Sequence, residues 1–153
     1  MTDFGDMARS IIESNRYMVL GTADEAGVPW VTPVWFAQSG YRRFVWVSSP
    51  DRRHSRNVRA RPELSIVIFD SQVAVGSARA VYLSGLAEEL SGNGVEQDIA
   101  LFDATGQAQG LTRRWAPADV LPPSPYRLYR ATVSQAWVLD PDSSPDDRAE
   151  VTL

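Results

Sequence analysis

The strongest constraint on this chain is a succession of strand-length runs broken by turn chemistry. Tyr17–Ala23, Pro29–Ala37, Arg43–Ser48, Leu64–Phe69, Arg79–Glu88 and Tyr126–Leu139 each read as a strand. Asp24-Glu25-Ala26-Gly27 and Gln38-Ser39-Gly40-Tyr41 carry the residue types that tight turns need. Consecutive strands with short connections pair antiparallel. Helical periodicity is confined to a few segments. Phe4, Met7, Ala8, Ile11 and Ile12 form one apolar stripe over Asp3–Ser14. Ser49 to Arg61 reads as a second helix, and Val95–Asp103 as a third with Val95, Ile99 and Phe102 on its apolar side. About six mostly antiparallel strands with two or three helices predict a mainly β fold, a barrel or curled sheet with helices attached.

Details within this frame are also expected. Pro33 cannot donate to a ladder, so its strand belongs at a sheet edge or a bulge. Leu64–Phe69 is almost continuously apolar and reads as buried on both faces. Val81, Leu83, Gly85 and Ala87 alternate with Tyr82, Ser84 and Leu86. Gly106–Gly110 reads as loop, Leu121–Pro125 as an extended edge cover, and Asp140–Asp147 as the loose start of an acidic tail, residues 140–153.

The chain has 153 residues, enough for a single domain over 1–153. It has no cysteine, which excludes disulfides and thiolate metal sites. All fifteen basic residues are arginine, and the net charge is −4. No run reaches the roughly 18 apolar residues of a membrane span, and the acidic N-terminus lacks an apolar signal core. The expectation is a soluble, cytoplasmic protein with no membrane partner.

The chemistry concentrates in Ser48-Ser49-Pro50-Asp51-Arg52-Arg53-His54-Ser55-Arg56-Asn57. It follows the strand-like Phe44-Val45-Trp46-Val47 and opens a helix. Ser49 is expected to cap that helix and Pro50 to take its first position. Free N–H groups at a helix start favour an anion, and Arg52, Arg53 and Arg56 add guanidinium forks that match phosphate oxygens. The positive charge is local and the remainder acidic, so a small anion is favoured over nucleic acid. His54 is the only histidine, and no metal cluster or hydrolytic triad is expected. The chain lacks the lysine of a P-loop and the glycine fingerprint of a dinucleotide fold. Reactivity would therefore come from a cofactor, and no catalytic side chain is named. Five tryptophans leave room for a flat ring among the strands.

Leu20-Gly21-Thr22, Gly27-Val28-Pro29, Val31-Thr32-Pro33-Val34-Trp35-Phe36, Val45-Trp46-Val47-Ser48, Arg53-His54-Ser55-Arg56-Asn57 and Arg61-Pro62-Glu63-Leu64-Ser65 come in an order that resembles the pyridoxamine 5′-phosphate oxidase-like family. The likeness covers Tyr17–Glu89 well and Tyr126–Leu139 more weakly. It implies a split β-barrel and a homodimer with FMN at the interface. By position, main-chain groups around Thr32, Pro33, Val34 and Trp35 would face the flavin ring. Ser48, Ser49, Arg53 and His54 would hold its phosphate, where many relatives have lysine in place of His54. Arg79 would lie near the flavin, with Ala80 standing where relatives carry glutamine. Trp137 would reach the partner's flavin, and Arg148 would act beside it. Vitamin B6 oxidases follow this tryptophan with Arg-x-His; here Val138-Leu139-Asp140-Pro141-Asp142 follows, so a different small-molecule substrate is implied. The expected activity is flavin-dependent oxidoreduction. The alternatives are a deazaflavin cofactor, for whose acidic tail Arg56 and Arg59 would line an exit, and a non-catalytic flavin- or haem-binding protein.

Overall fold

The computed structural model describes residues 2–153. Helix α1, Phe4–Ser14, opens on Asp3, whose carboxylate accepts from the Asp6 N–H at 3.0 Å. It buries Ala8, Ile11 and Ile12. The strands are β1 Tyr17–Ala23, β2 Pro29–Trp35, β3 Ala37–Ser39, β4 Arg43–Ser48, β5 Glu63–Phe69, β6 Ala80–Glu89, β7 Arg127–Asp140 and β8 Asp147–Val151. Helix α2 spans Arg53–Ala60 and α3 spans Glu96–Ala108.

All pairings are antiparallel, in the order β2-β1-β5-β6-β7-β4-β3, with β8 also on β7. β2 and β3 are the two ends of this order, yet only Phe36 separates them in the chain. The sheet must therefore curl until its edges meet, and Phe36 is buried at that seam with its N–H on the Arg16 carbonyl at 3.3 Å. Curvature is helped by a register shift between Ser84 and Gly85. A Cβ on Gly85 would stand 2.1 Å from the Thr132 carbonyl oxygen, so only glycine allows that approach.

Met18, Leu20, Phe44, Trp46, Ile66, Ile68, Val81 and Leu83 fill the barrel, with α1 packed against them. A second core joins α3 to β3, β4 and β7 through Ala37, Val45, Val95, Ile99, Phe102 and Leu128. Inside it Asp98, only 1% exposed, faces two arginines. Arg130 Nη1 donates to Asp98 Oδ2 at 3.0 Å. Arg43 Nε lies 2.9 Å from Oδ1, an ion contact without hydrogen-bond alignment.

Several expectations change. The strand expected over Pro29–Ala37 divides at Phe36, because the chain there crosses from one sheet edge to the other. β5 is buried on one face only: Leu64, Ile66 and Ile68 point inward while Ser65 and Phe69 are exposed. The expected mainly β architecture gains two short strands among the described residues: β3, and, after the irregular stretch at 141–146, β8. Its pairing with the long β7 gives the acidic segment a ladder that composition does not reveal. α3 runs through Gly106 to Ala108, and Gly106 is buried within it beneath Trp35, where an added Cβ would stand 3.4 Å from the ring edge. Leu121–Pro125 forms turn and irregular backbone after a short 3₁₀ turn at Pro117–Val120.

Candidate functional site

β4 delivers Ser48 to the end of the barrel, and the chain turns there into α2. The turn differs from a Ser49-capped helix. Arg52, in extended backbone, occupies the cap position of α2 and makes no side-chain cap bond. Ser49 instead closes a local turn: its carbonyl accepts from the Arg52 N–H at 3.2 Å and from the Ser55 hydroxyl at 2.8 Å. Its hydroxyl oxygen accepts from the Asp51 N–H at 3.3 Å. Pro50 and Asp51 thus lie in this turn, not in the helix. The consequence is an α2 mouth that is open, since the first N–H groups of a helix have no intrahelical acceptor.

The five arginines separate into two groups. Arg56 donates to the Asp51 carbonyl, Arg59 to the Pro50 carbonyl at 3.0 Å and Arg61 to the Glu25 carbonyl at 3.0 Å. These three brace the turn and fasten α2 to the β1–β2 hairpin. Arg52 and Arg53 remain exposed at the helix mouth. The Arg53 guanidinium lies over the Trp30 ring, 4.5 Å from its centre.

His54 turns inward. It is 8% exposed, and its Nε2 lies 2.8 Å from Ser48 Oγ. Burial, and then the nearby Arg52 charge, lower its pKa below the usual 6.5. A neutral imidazole protonated at Nε2 donates to Ser48 Oγ and leaves the serine hydrogen free for another acceptor; the other tautomer takes that hydrogen. His54 therefore acts on the mouth through Ser48.

β2 is an edge strand, and Pro33 falls where that edge tolerates it. The Asp24 N–H bonds the Val28 carbonyl at 3.1 Å, and the Phe36 N–H bonds that of Arg16. Both pairs are in phase with Thr22–Trp30, Leu20–Thr32 and Met18–Val34. Hydrogen-bonded and non-bonded pairs alternate in an antiparallel ladder. Val31, Pro33 and Trp35 accordingly turn their main-chain groups away from β1, toward the open edge. The Thr32 and Val34 side chains point into the barrel, on the same face as Leu20 and Met18. The Trp35 indole is a packing group: Nε1 donates to Gln109 Oε1 at 2.7 Å, and the ring meets Phe102 edge-on at 4.4 Å.

Ser48, Ser49, Arg53 and His54 are thus gathered at one mouth, with Arg56 bracing it. Arg79 and Trp137 are elsewhere. Arg79 is exposed in the loop before β6, beside a cavity lined also by Leu139, Asp140 and Asp146. Trp137 lies on the outer sheet face, in a row that runs Pro33, Val19, Val67, Tyr82, Trp137, Glu150 across successive strands. Four strand spacings separate Pro33 from Trp137, about 19 Å along the sheet. Arg148 joins this outer group, its guanidinium 4.9 Å from the centre of the Tyr82 ring.

Sequence reasoning assigned no role to Trp30, Thr22 or Asn57. The Asn57 amide, buried at 4% exposure, donates to Thr22 Oγ1 at 3.1 Å, and that hydroxyl donates to the Trp30 carbonyl at 3.3 Å. A polar asparagine on the inner side of a short helix was the available signal.

The comparisons fix the family. Residues 4–139 match the pyridoxamine 5′-phosphate oxidase family. The chain belongs to that family. No curated protein matches the sequence. Among solved structures, a haem-binding protein from Mycobacterium smegmatis superposes with a TM-score of 0.73 at 22% identity, covering 98% of this chain and 59% of that one. The haem-storage protein HutZ of Vibrio cholerae gives 0.68 at 17% identity, covering 90% and 95%. A FAD-binding protein from Mesorhizobium loti gives 0.65 at 21% identity, covering 86% and 90%. At these identities the likeness establishes the split-barrel fold of this oxidase-family chain.

Proposed function

We propose that this chain is an FMN-dependent oxidoreductase acting on a small molecule, and that it works as a homodimer. The observation that carries the reading is the uncapped mouth of α2. Ser48, Ser49 and Arg53 are grouped there with helix N–H groups that have no intrahelical acceptor. That donor set suits a phosphate monoester. The exposed edge of β2 suits the polar rim of a flavin: Val31 and Trp35 offer N–H donors, Pro33 only a carbonyl. FAD binding by the structural neighbour from Mesorhizobium loti favours a flavin.

When bound, FMN would supply hydride or single-electron transfer. The chain's own part is to bind, orient and shield. The α2 mouth would hold the phosphate and the β2 edge the ring. Trp137 lies on the outer sheet face, four strands from Pro33 in sheet order, and a second copy packed on that face would bring its own Trp137 toward the ring. The outer face offers the surface for such pairing: Tyr17 is 63% exposed, Val31 67% and Leu86 57%. The Arg-x-His element of vitamin B6 oxidases is missing after Trp137, which argues for another substrate.

A deazaflavin would occupy the same mouth, but Arg56 and Arg59 are already engaged on backbone carbonyls and would have to release them to guide an acidic tail. Haem is the reading favoured by the Vibrio and Mycobacterium neighbours. In this chain, however, His54 is committed to Ser48 and does not face outward. The test is the absorption spectrum and mass of the small molecule that co-purifies, followed by FMN titration, NAD(P)H reduction and sedimentation. A flavin spectrum, FMN mass and dimeric sedimentation are expected. A Soret band, a deazaflavin mass or no binding of FMN overturns the reading.

A further inference from the structure

Trp30 belongs to no part of the barrel core and is 40% exposed, an unusual place for an indole that makes a defined contact. Its ring carries the Arg53 guanidinium at 4.5 Å. Its carbonyl is held by Thr22, and Thr22 by the buried amide of Asn57. Arg61 fastens the far end of α2 to the Glu25 carbonyl at the tip of the same hairpin. The helix that carries Arg53 and the β1–β2 hairpin that carries Trp30 are therefore joined at three separate points. An exposed arginine ordinarily loses much rotamer freedom when it grips a ligand. Here that freedom is already restricted by the ring beneath it, while among the described residues no carboxylate lies within ion-pair distance of Arg53.

We propose that Trp30 is a positioning platform for Arg53, and that it sets the preference of the site for a phosphorylated over an unphosphorylated flavin. The proposal rests on the FMN reading above, because it concerns the phosphate end of that site. Riboflavin lacks the phosphate and is blind to Arg53, so it serves as the internal control.

The experiment compares dissociation constants for FMN and riboflavin, by flavin fluorescence, in the full-length protein and in Trp30→Leu, Trp30→Phe, Arg53→Gln and the Trp30→Leu/Arg53→Gln double variant. Circular dichroism verifies that each is folded. Trp30→Leu is expected to weaken FMN binding about threefold, the scale of an exposed cation–π contact, with riboflavin unchanged. Trp30→Phe keeps an aromatic face and should restore most of the preference. In the Arg53→Gln background, Trp30→Leu should add nothing further. The platform is overturned if Trp30→Leu weakens both ligands equally, if Phe is no better than Leu, or if the two substitutions are additive. If the unaltered protein binds FMN no better than riboflavin, the phosphate reading itself fails and takes the platform with it.

Discussion

Helices α2 and α3 flank the same curled sheet but are fastened to it by opposite means. α3 buries Val95, Ile99 and Phe102 in an apolar seam and lodges Asp98 between Arg43 and Arg130. α2 buries His54, Ser55, Asn57 and a single aliphatic, Val58. Its attachments are hydrogen bonds at defined points: Asn57 to Thr22, Ser55 to Ser49 and Arg61 to Glu25. Apolar contact supplies most of the free energy of folding, while directional bonds fix where a group stands. The difference teaches where each kind of change should be felt. Damage to α3 should lower stability, and damage to the mouth of α2 should lower binding.

The largest effect expected is at Asp98. Asp98→Ala removes the buried carboxylate shared by Arg43 and Arg130 and should cost about 3 kcal/mol in urea unfolding, the low end for a buried ion pair because both arginines are partly exposed and Arg130 keeps Glu88. Arg53→Ala comes next and should act in the other currency. FMN binding should weaken by about 1–3 kcal/mol through a lost charge-assisted bond, measured by flavin titration. The same variant should lose less than about 1 kcal/mol of stability, the scale of the exposed contact with Trp30. A variant at Arg53 that unfolds more readily than one at Asp98 would break the contrast between the helices.

The smallest expected effect concerns pH. Folding lowers the His54 pKa below the 6.5 of the unfolded chain. Between those values the unfolded state binds the proton and the folded state does not, so stability rises with pH. The contribution of His54 is complete above pH 6.5 and is lost as pH falls through the folded value. His54→Gln keeps a hydrogen-bonding group beside Ser48 without the titration. Urea midpoints for the two proteins, followed from pH 8 to pH 5, should converge toward the acid end. Parallel curves would show that His54 is not the buried neutral group described above.

Much of this was legible in the sequence, for identifiable reasons. Alternation placed Val81, Leu83 and Ala87 inside and Tyr82, Ser84 and Leu86 outside, because a half-buried strand has period 2. Pro33 marked an edge strand, because its missing donor is harmless only where no partner needs it. The cluster from Ser48 to Arg53 was visible as residue types, and those groups do share one mouth. Its construction was not visible. Ser49 has the chemistry of a cap, but a competing turn takes both its carbonyl and its hydroxyl. Arg53 and Arg56 are equivalent in composition and differ only in which way the helix points them. Trp30 looked like one more aromatic of a rich sequence, because the contact that sets it apart is with Arg53, twenty-three positions away. β8 escaped because Asp147-Arg148-Ala149-Glu150-Val151, mostly charged, has little strand preference of its own and is held by its neighbour.

One strand ties the rest together. β7 bonds β6 along one edge and β4 and then β8 along the other. Without it the sheet would fall into a four-strand piece, a short hairpin and a stranded terminal segment, none with a complete interior. Solvent should therefore reach the amide hydrogens at the middle of β7 only when the whole molecule opens, which makes that strand the keystone of a fold that comes apart all at once.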